Sequence, residues 1–238
     1  ERPGHGLGLL KAGREQRVKM LRAALLNPLN IRFPGWDCDR MLTWLNRRIG
    51  WVFSWWAVIP TMTCVTVAYL FLATRIPEVR ARMPEFQQFF GWPNLIYLWL
   101  TLAVTKVIHE FGHGLTCKRF GAECHSMGVM LMVFSPTMYC DVTDSWLLSD
   151  KWKRIAIAAA GMYVEVALSA VAIFVWWNAQ PGVLQHLSLN VFFISTVSTV
   201  LFNLNPLLQF DGYYILADYL EIPNLREKGK ELLRQALA

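Results

Sequence analysis

At 238 residues, 55% of them hydrophobic and only 17% charged, with eleven tryptophans, the chain has the composition of a polytopic membrane protein and not of a soluble domain. The formal charge of +6 sits largely before Gly50, where ten Lys/Arg face four acids; beside apolar spans such a run suits an anionic leaflet, so no nucleic-acid partner is expected. Five scattered cysteines (Cys38, Cys64, Cys117, Cys124 and Cys140) form no C-x-x-C pair and read as free thiols, not a disulfide framework. The first residue is Glu1 and nothing near it has the form of a signal peptide, so a piece of a longer polypeptide is expected.

In chain order, 9–26 places Leu10, Val18, Leu21 and Leu25 near one helical face and Arg14, Arg17, Lys19 and Arg22 around the others, the pattern of a basic helix lying on a membrane surface. NPLNIRFPG then breaks regular structure, and Asp39 is placed to cap a short helix over 40–49. The uncharged run 51–73, with Trp51, Trp55 and Trp56 at one end, predicts a first span, and 94–117 a second. The apolar run 127–139 is too short to cross and holds Gly128 and Pro136, which predicts a re-entrant segment or β-hairpin. A third span is expected over 155–177, with Glu165 buried in it and satisfied by a neighbouring polar group. A fourth is expected from about 187 to 204, broken at Asn203, Asn205 and Pro206. Asn224 and Glu227 stand in capping-box register before a final amphipathic helix.

The fold class that follows is an all-α polytopic membrane protein of about four transmembrane helices, with a short insert and a Pro-broken fourth helix. The expected division is a basic interfacial region over 1–50, a transmembrane core over 51–220 and a cytosolic amphipathic helix over 221–238. Lys118/Arg119, Lys151/Lys153/Arg154 and the N-terminal region fall on one side of this map, which orients both termini to the cytosol of a cell membrane.

One stretch does not belong to an ordinary span. VIHEFGHGL, 107–115, sets two histidines and a glutamate in an apolar helix, where an ionisable side chain costs about 2.5–3.5 kcal/mol at mid-bilayer. His109 and His113, at i and i+4, share a face and can reach one tetrahedral metal. Glu110 emerges beside that face, poorly placed as a ligand but well placed to take a proton from metal-activated water. A catalytic zinc takes a third protein ligand, for which Glu165, Asp211, Asp141, His125 and Cys124 are candidates; Asp211, after the broken helix and before Gly212, has the best context. Cys117, Cys124, His125 and Cys140 form a weaker candidate for a second metal site.

HEFGH at 109–113 followed by NLNPLLQFDG at 203–212 resembles the site-2 protease family of intramembrane zinc metalloproteases, whose members pair an HExxH helix with a later N-x-x-P-x-x-x-L-D-G segment. Asn203, Pro206, Asp211 and Gly212 fall in register, and Phe210 stands for the usual Leu. The resemblance implies Zn²⁺ held by His109, His113 and Asp211, and Glu110 as general base. It also implies hydrolysis of a peptide bond in a membrane-embedded or exported peptide. To Asn203 we assign the substrate strand or the developing oxyanion. Gly161, Met162 and Glu165 stand where many members have G-P-x-x-N, and Leu208 replaces a second proline. The basic N-terminal region and the 124–146 insert are closer to the bacterial peptide zinc metalloprotease branch. That branch implies a bacterial inner-membrane location and a secretion-adaptor module or transporter as partner.

Three other functions compete with this one. A non-proteolytic zinc component of a peptide maturation or export complex would use the same ligands. A di-iron oxygenase needs more histidines than the five present. An ion transporter would show paired broken helices, which the sequence lacks.

Overall fold

The structure, a computed structural model, describes residues 30–132, 135–222 and 224–237. The basic helix expected over 9–26 lies outside them. Strand β1 (Asn30–Arg32) is followed by helix α1 (Asp39–Ile49) and a 3₁₀ turn (Gly50–Phe53). Next come α2 (Trp55–Ala73), two short helices, α3 (Ile76–Arg82) and α4 (Phe86–Phe89), and the long α5 (Asn94–Arg119). A hairpin, β2 (Met127–Met132) and β3 (Ser135–Cys140), and a second 3₁₀ turn (Thr143–Leu147) lead to α6 (Lys151–Asn178). Helix α7 (Val183–Val197) runs into a π-helical turn (Ser198–Asn203), followed by α8 (Asp211–Leu220) and α9 (Leu225–Leu237).

Among the described residues, α2, α5, α6 and the α7–π segment are the helices long and apolar enough to cross a membrane. Lipid offers backbone groups no hydrogen bonds, so such runs must satisfy their own as helices. This is the expected all-α membrane architecture of four spans. Half of the apolar window of α6 is buried inside the protein, against 6% for α2, so α6 is the central post and α2 a lipid-facing flank. Two bonds from Tyr69 Oη, 2.7 Å to Ser169 Oγ and 2.8 Å to Thr196 Oγ1, tie α2 to α6 and α7. Small residues let α5 and α6 approach closely: a Cβ on Gly112 would lie 2.9 Å from the Ala160 carbonyl oxygen. In lipid such van der Waals contact, not hydrophobic burial, drives helix association.

Of the two forms expected for 127–139, the structure has the β-hairpin, with Met127 opposite Cys140 and Leu131 opposite Pro136. It differs from expectation in adding a third strand. The stretch read as irregular contains β1, antiparallel to β2 with Arg32 opposite Met130. Pro28 and Pro34 flank the three paired residues without interrupting them, so the open edge of β2 can still recruit a backbone that local sequence marks as broken. Beneath the sheet, Cys38, Leu42, Leu115, Cys124, Met127 and Met138 form a buried cluster that seats hairpin and α1 on the C-terminal half of α5.

Two expected caps are absent. Asp39 is the first residue of α1, not its cap, because its carboxylate is drawn across to Lys118 of α5. That ammonium holds the Asp39 carboxyl below its ordinary pKa. Asn224 has φ +56°, not the extended backbone of an N-cap, and Glu227 pairs with Lys230 instead.

All five cysteines are free, as expected. Cys38 is fully buried with its sulfur 3.5 Å from that of Cys124, and burial, then this neighbour, push its thiol up to about 12. Because the thiolate is the nucleophile, iodoacetamide at pH 8 is expected to leave Cys38 unmodified in the folded protein and to label it fully in denaturant, as read by peptide mass spectrometry.

Candidate metal centre

His109 and His113 lie one turn apart on α5, 4% and 7% exposed, with ring centroids 4.7 Å apart. A carbonyl oxygen can only accept, so the 2.7 Å contact from His113 Nδ1 to the Ile157 carbonyl of α6 fixes Nδ1 as the protonated nitrogen. His113 Nε2 then turns its lone pair toward His109 Nε2, 3.0 Å away.

The third member arrives from the other end of the sequence. The α-helical ladder of α7 ends at Ser198, and one π-helical turn carries the chain to Asn203 before the Pro206 segment delivers Asp211 at the head of α8. Gly212 makes this placement possible, since a Cβ there would lie 2.6 Å from the Leu204 carbonyl oxygen and 2.8 Å from that of Asn203. Asp211 Oδ2 is 3.1 Å from His109 Nε2, and Oδ1 is 3.4 Å from His113 Nε2. Farther along α8, Asp218 is held by Arg154 of α6 at 2.7 Å, which fixes the helix against the central post.

The donor set fits a small divalent ion. Three such groups facing one another at 3.0–3.4 Å need a proton or a metal cation shared among them, and bonds of about 2.0–2.1 Å to a tetrahedral zinc set neighbouring ligands about 3.3 Å apart, which matches the spacing. Asp211 Oδ2 is a buried acceptor that receives no hydrogen bond, as a metal ligand would be. Opposite the pair of rings stands Gly161 of α6, where a Cβ would come within 2.5 Å of both Nε2 atoms. Gly161→Ala is therefore expected to lower zinc retention on purification, measured by plasma mass spectrometry, because the buried imidazoles must shift to admit the Cβ.

Glu110 stands beside this trio as its place in the sequence suggests, with Oε2 accepting the Cys140 backbone N–H at 2.9 Å. The hairpin thus pins the acid. Glu165 is fully buried and satisfied by neighbours, as expected: Lys106 Nζ (2.7 Å) and Ser198 Oγ (3.3 Å) reach Oε1, while Thr199 Oγ1 (2.6 Å) and Asn203 Nδ2 (2.9 Å) reach Oε2. The amide of Asn203 is thereby engaged with Glu165. Cys117, Cys124, His125 and Cys140 are not brought together as one ligand set. Cys124 and Cys140 face each other at 3.2 Å, while His125 is 61% exposed and pairs with Glu123 and Asp144. Lys106, Ser198 and Thr199 are site residues that the sequence alone does not single out, and Gly161 shows there only as a family position without its role. The available signal was Lys106 itself, an ionisable residue inside an apolar span.

Residues 97–187, which include the HEFGH turn, Gly161 and Glu165, match the model of peptidase family M50. Over this segment the chain is similar to peptidase family M50. That bears out the resemblance to the site-2 proteases. Asn203 and Asp211 lie beyond the M50 match. The chain is 25% identical over 156 residues to "Putative peptide zinc metalloprotease protein YydH" of Bacillus subtilis, covering 65% of this chain and 60% of that protein. It is 30% identical over 82 residues to "Uncharacterized protein MJ0971" of Methanocaldococcus jannaschii, covering 34% of this chain and 21% of that one. The chain thus spans less than two thirds of the length of either relative. No solved structure matches it.

Proposed function

We propose that this protein is an intramembrane zinc metalloprotease that hydrolyses a peptide bond of a membrane-embedded or exported peptide. The observation that carries the reading is the convergence of His109, His113 and Asp211, from two distant segments, to 3.0–3.4 Å of one another with Glu110 alongside. In this reading the two Nε2 atoms and the Asp211 carboxylate hold Zn²⁺. When bound, the ion polarises a carbonyl and makes water acidic enough to be deprotonated near neutral pH. Glu110 accepts the proton of the attacking water and delivers it to the leaving amine. With Oε2 held by the Cys140 N–H, Oε1 is the atom free for this transfer. Asn203, expected at the substrate, is reassigned to a positioning role through Glu165.

Among the described residues, β3 pairs on one side only, with β2, and ends at the residue that holds Glu110. An extended substrate added along its open edge would be led to the base, with its peptide bonds freed from any helix. The basic ends Lys118/Arg119 and Lys151/Lys153/Arg154 flank the hairpin, which supports placing it and both termini on the cytosolic side of a bacterial inner membrane. The name of the Bacillus relative supports zinc and a peptide substrate, and a secretion adaptor or transporter is the partner proposed. The test is cleavage of a fluorescently labelled unfolded polypeptide by the purified chain in micelles. Cleavage should cease with 1,10-phenanthroline and return with added Zn²⁺; cleavage indifferent to the chelator would exclude a metalloprotease.

A further inference from the structure

Glu165 does more in this structure than fill a buried position. Oε1 lies 3.2 Å from His109 Nδ1, on the opposite side of the imidazole from the Nε2 that faces His113 and Asp211. Nδ1 is buried and has no hydrogen-bond partner, since the contact is at ion-pair distance but short of hydrogen-bond alignment. The carboxylate is the group poised to take it. Contacts of this kind at active sites tighten when the full complex forms.

The surroundings of Glu165 are built to hold a carboxylate in one place. Four donors from two elements, Lys106 on α5 and Ser198, Thr199 and Asn203 on the π turn, converge on the two oxygens of a residue on α6. Stability does not account for such a cluster, because a buried ion pair is often no better than an apolar pair of the same shape. Its location does. Gly161 and Glu165 are one turn apart on the same face of α6, the first giving the imidazoles room and the second standing behind one of them. Lys106 is likewise about one turn before His109 on α5. Asn203 belongs to the same broken segment that delivers Asp211, so the cluster ties the two ligand-bearing parts together.

We propose that Glu165 is a positioning residue for the metal centre. Its carboxylate, held by Lys106 and the π turn, takes the Nδ1–H of His109, sets the tautomer and aims Nε2 at the ion. This inference rests on the zinc reading given above. A carboxylate behind a metal-ligating imidazole also makes that ligand more basic, and losing one typically costs 10–100-fold in metal affinity.

The test uses the full chain in detergent micelles, with Zn²⁺ affinity measured by competition against a chromophoric chelator and thermal unfolding measured on the metal-free forms. Glu165→Gln is expected to bind Zn²⁺ about 10–100-fold more weakly. The double variant K106Q/E165Q removes both charges, so any loss of fold stability from an unpaired lysine should be recovered while zinc affinity stays low. Zinc binding by Glu165→Gln at the wild-type level, or recovery of zinc affinity in the double variant along with stability, would make Glu165 a structural ion-pair partner and overturn the proposal. Failure of the wild-type chain to bind Zn²⁺ at all would overturn the underlying zinc reading, a separate result.

Discussion

Glu110→Gln is expected to reduce peptide hydrolysis by about 10²–10⁴-fold, the range for loss of a positioned general base, while zinc content stays at the wild-type level. The separation of the two effects follows from geometry. Glu110 is not among the three groups facing one another, so an ion held by them would lose no ligand when its charge is removed. A glutamine carbonyl can still accept the Cys140 N–H that Oε2 accepts at 2.9 Å, so the hairpin should keep its seat. Hydrolysis by Glu110→Gln at the wild-type rate, measured with the same labelled polypeptide, would remove the proposed base. Loss of zinc in this variant would instead move Glu110 into the ligand set.

Asp211→Ala should have the larger effect on the metal. In the proposed ligand set the carboxylate is the member from outside α5, and without it two imidazoles 3.0 Å apart would remain to hold a divalent ion that takes three protein ligands in catalytic sites. Zinc affinity should fall by more than the roughly 10–100-fold expected for a supporting residue, and hydrolysis should fall with it. The substitution removes an acid from the first turn of α8, a loss of only about 0.3–1 kcal/mol, and α8 remains tied to α6 through Asp218 and Arg154. Unfolding of the metal-free protein should therefore change little. Undiminished zinc retention in Asp211→Ala, checked by plasma mass spectrometry, would take Asp211 out of the proposed ligand set. The pair of variants also separates a protease from a zinc site kept only as structure: a structural site predicts loss of function with Asp211→Ala and none with Glu110→Gln.

The parts of this arrangement that sequence could show are those in which polarity violates its surroundings. Two histidines and an acid in an apolar helix stand out because burial of each is costly, and Pro206 stands out because it cannot continue a helix. Three of the four spans and the hairpin follow from run length and the fourth from its break. What stayed hidden depends on distance between segments. Gly161 stands at a family position in the sequence, but the reason for a glycine there shows only when the imidazoles are set 2.5 Å from where its Cβ would be. Ser198 and Thr199 read as ordinary polar residues in a span until the π turn aims them at Glu165. Strand β1 exists because β2 has an edge to fill, which no property of NIR announces. Asp39 meets the local rule for a cap and fails it because Lys118, on another helix, competes for the carboxylate.

X-ray absorption at the zinc edge of the purified chain tests the central claim most directly. The arrangement predicts one zinc per chain with only nitrogen and oxygen neighbours at about 2.0–2.2 Å, two of the nitrogens showing imidazole scattering. Sulfur neighbours at about 2.3 Å, pointing to the cysteines under the hairpin, or a protein that retains no zinc, would contradict it.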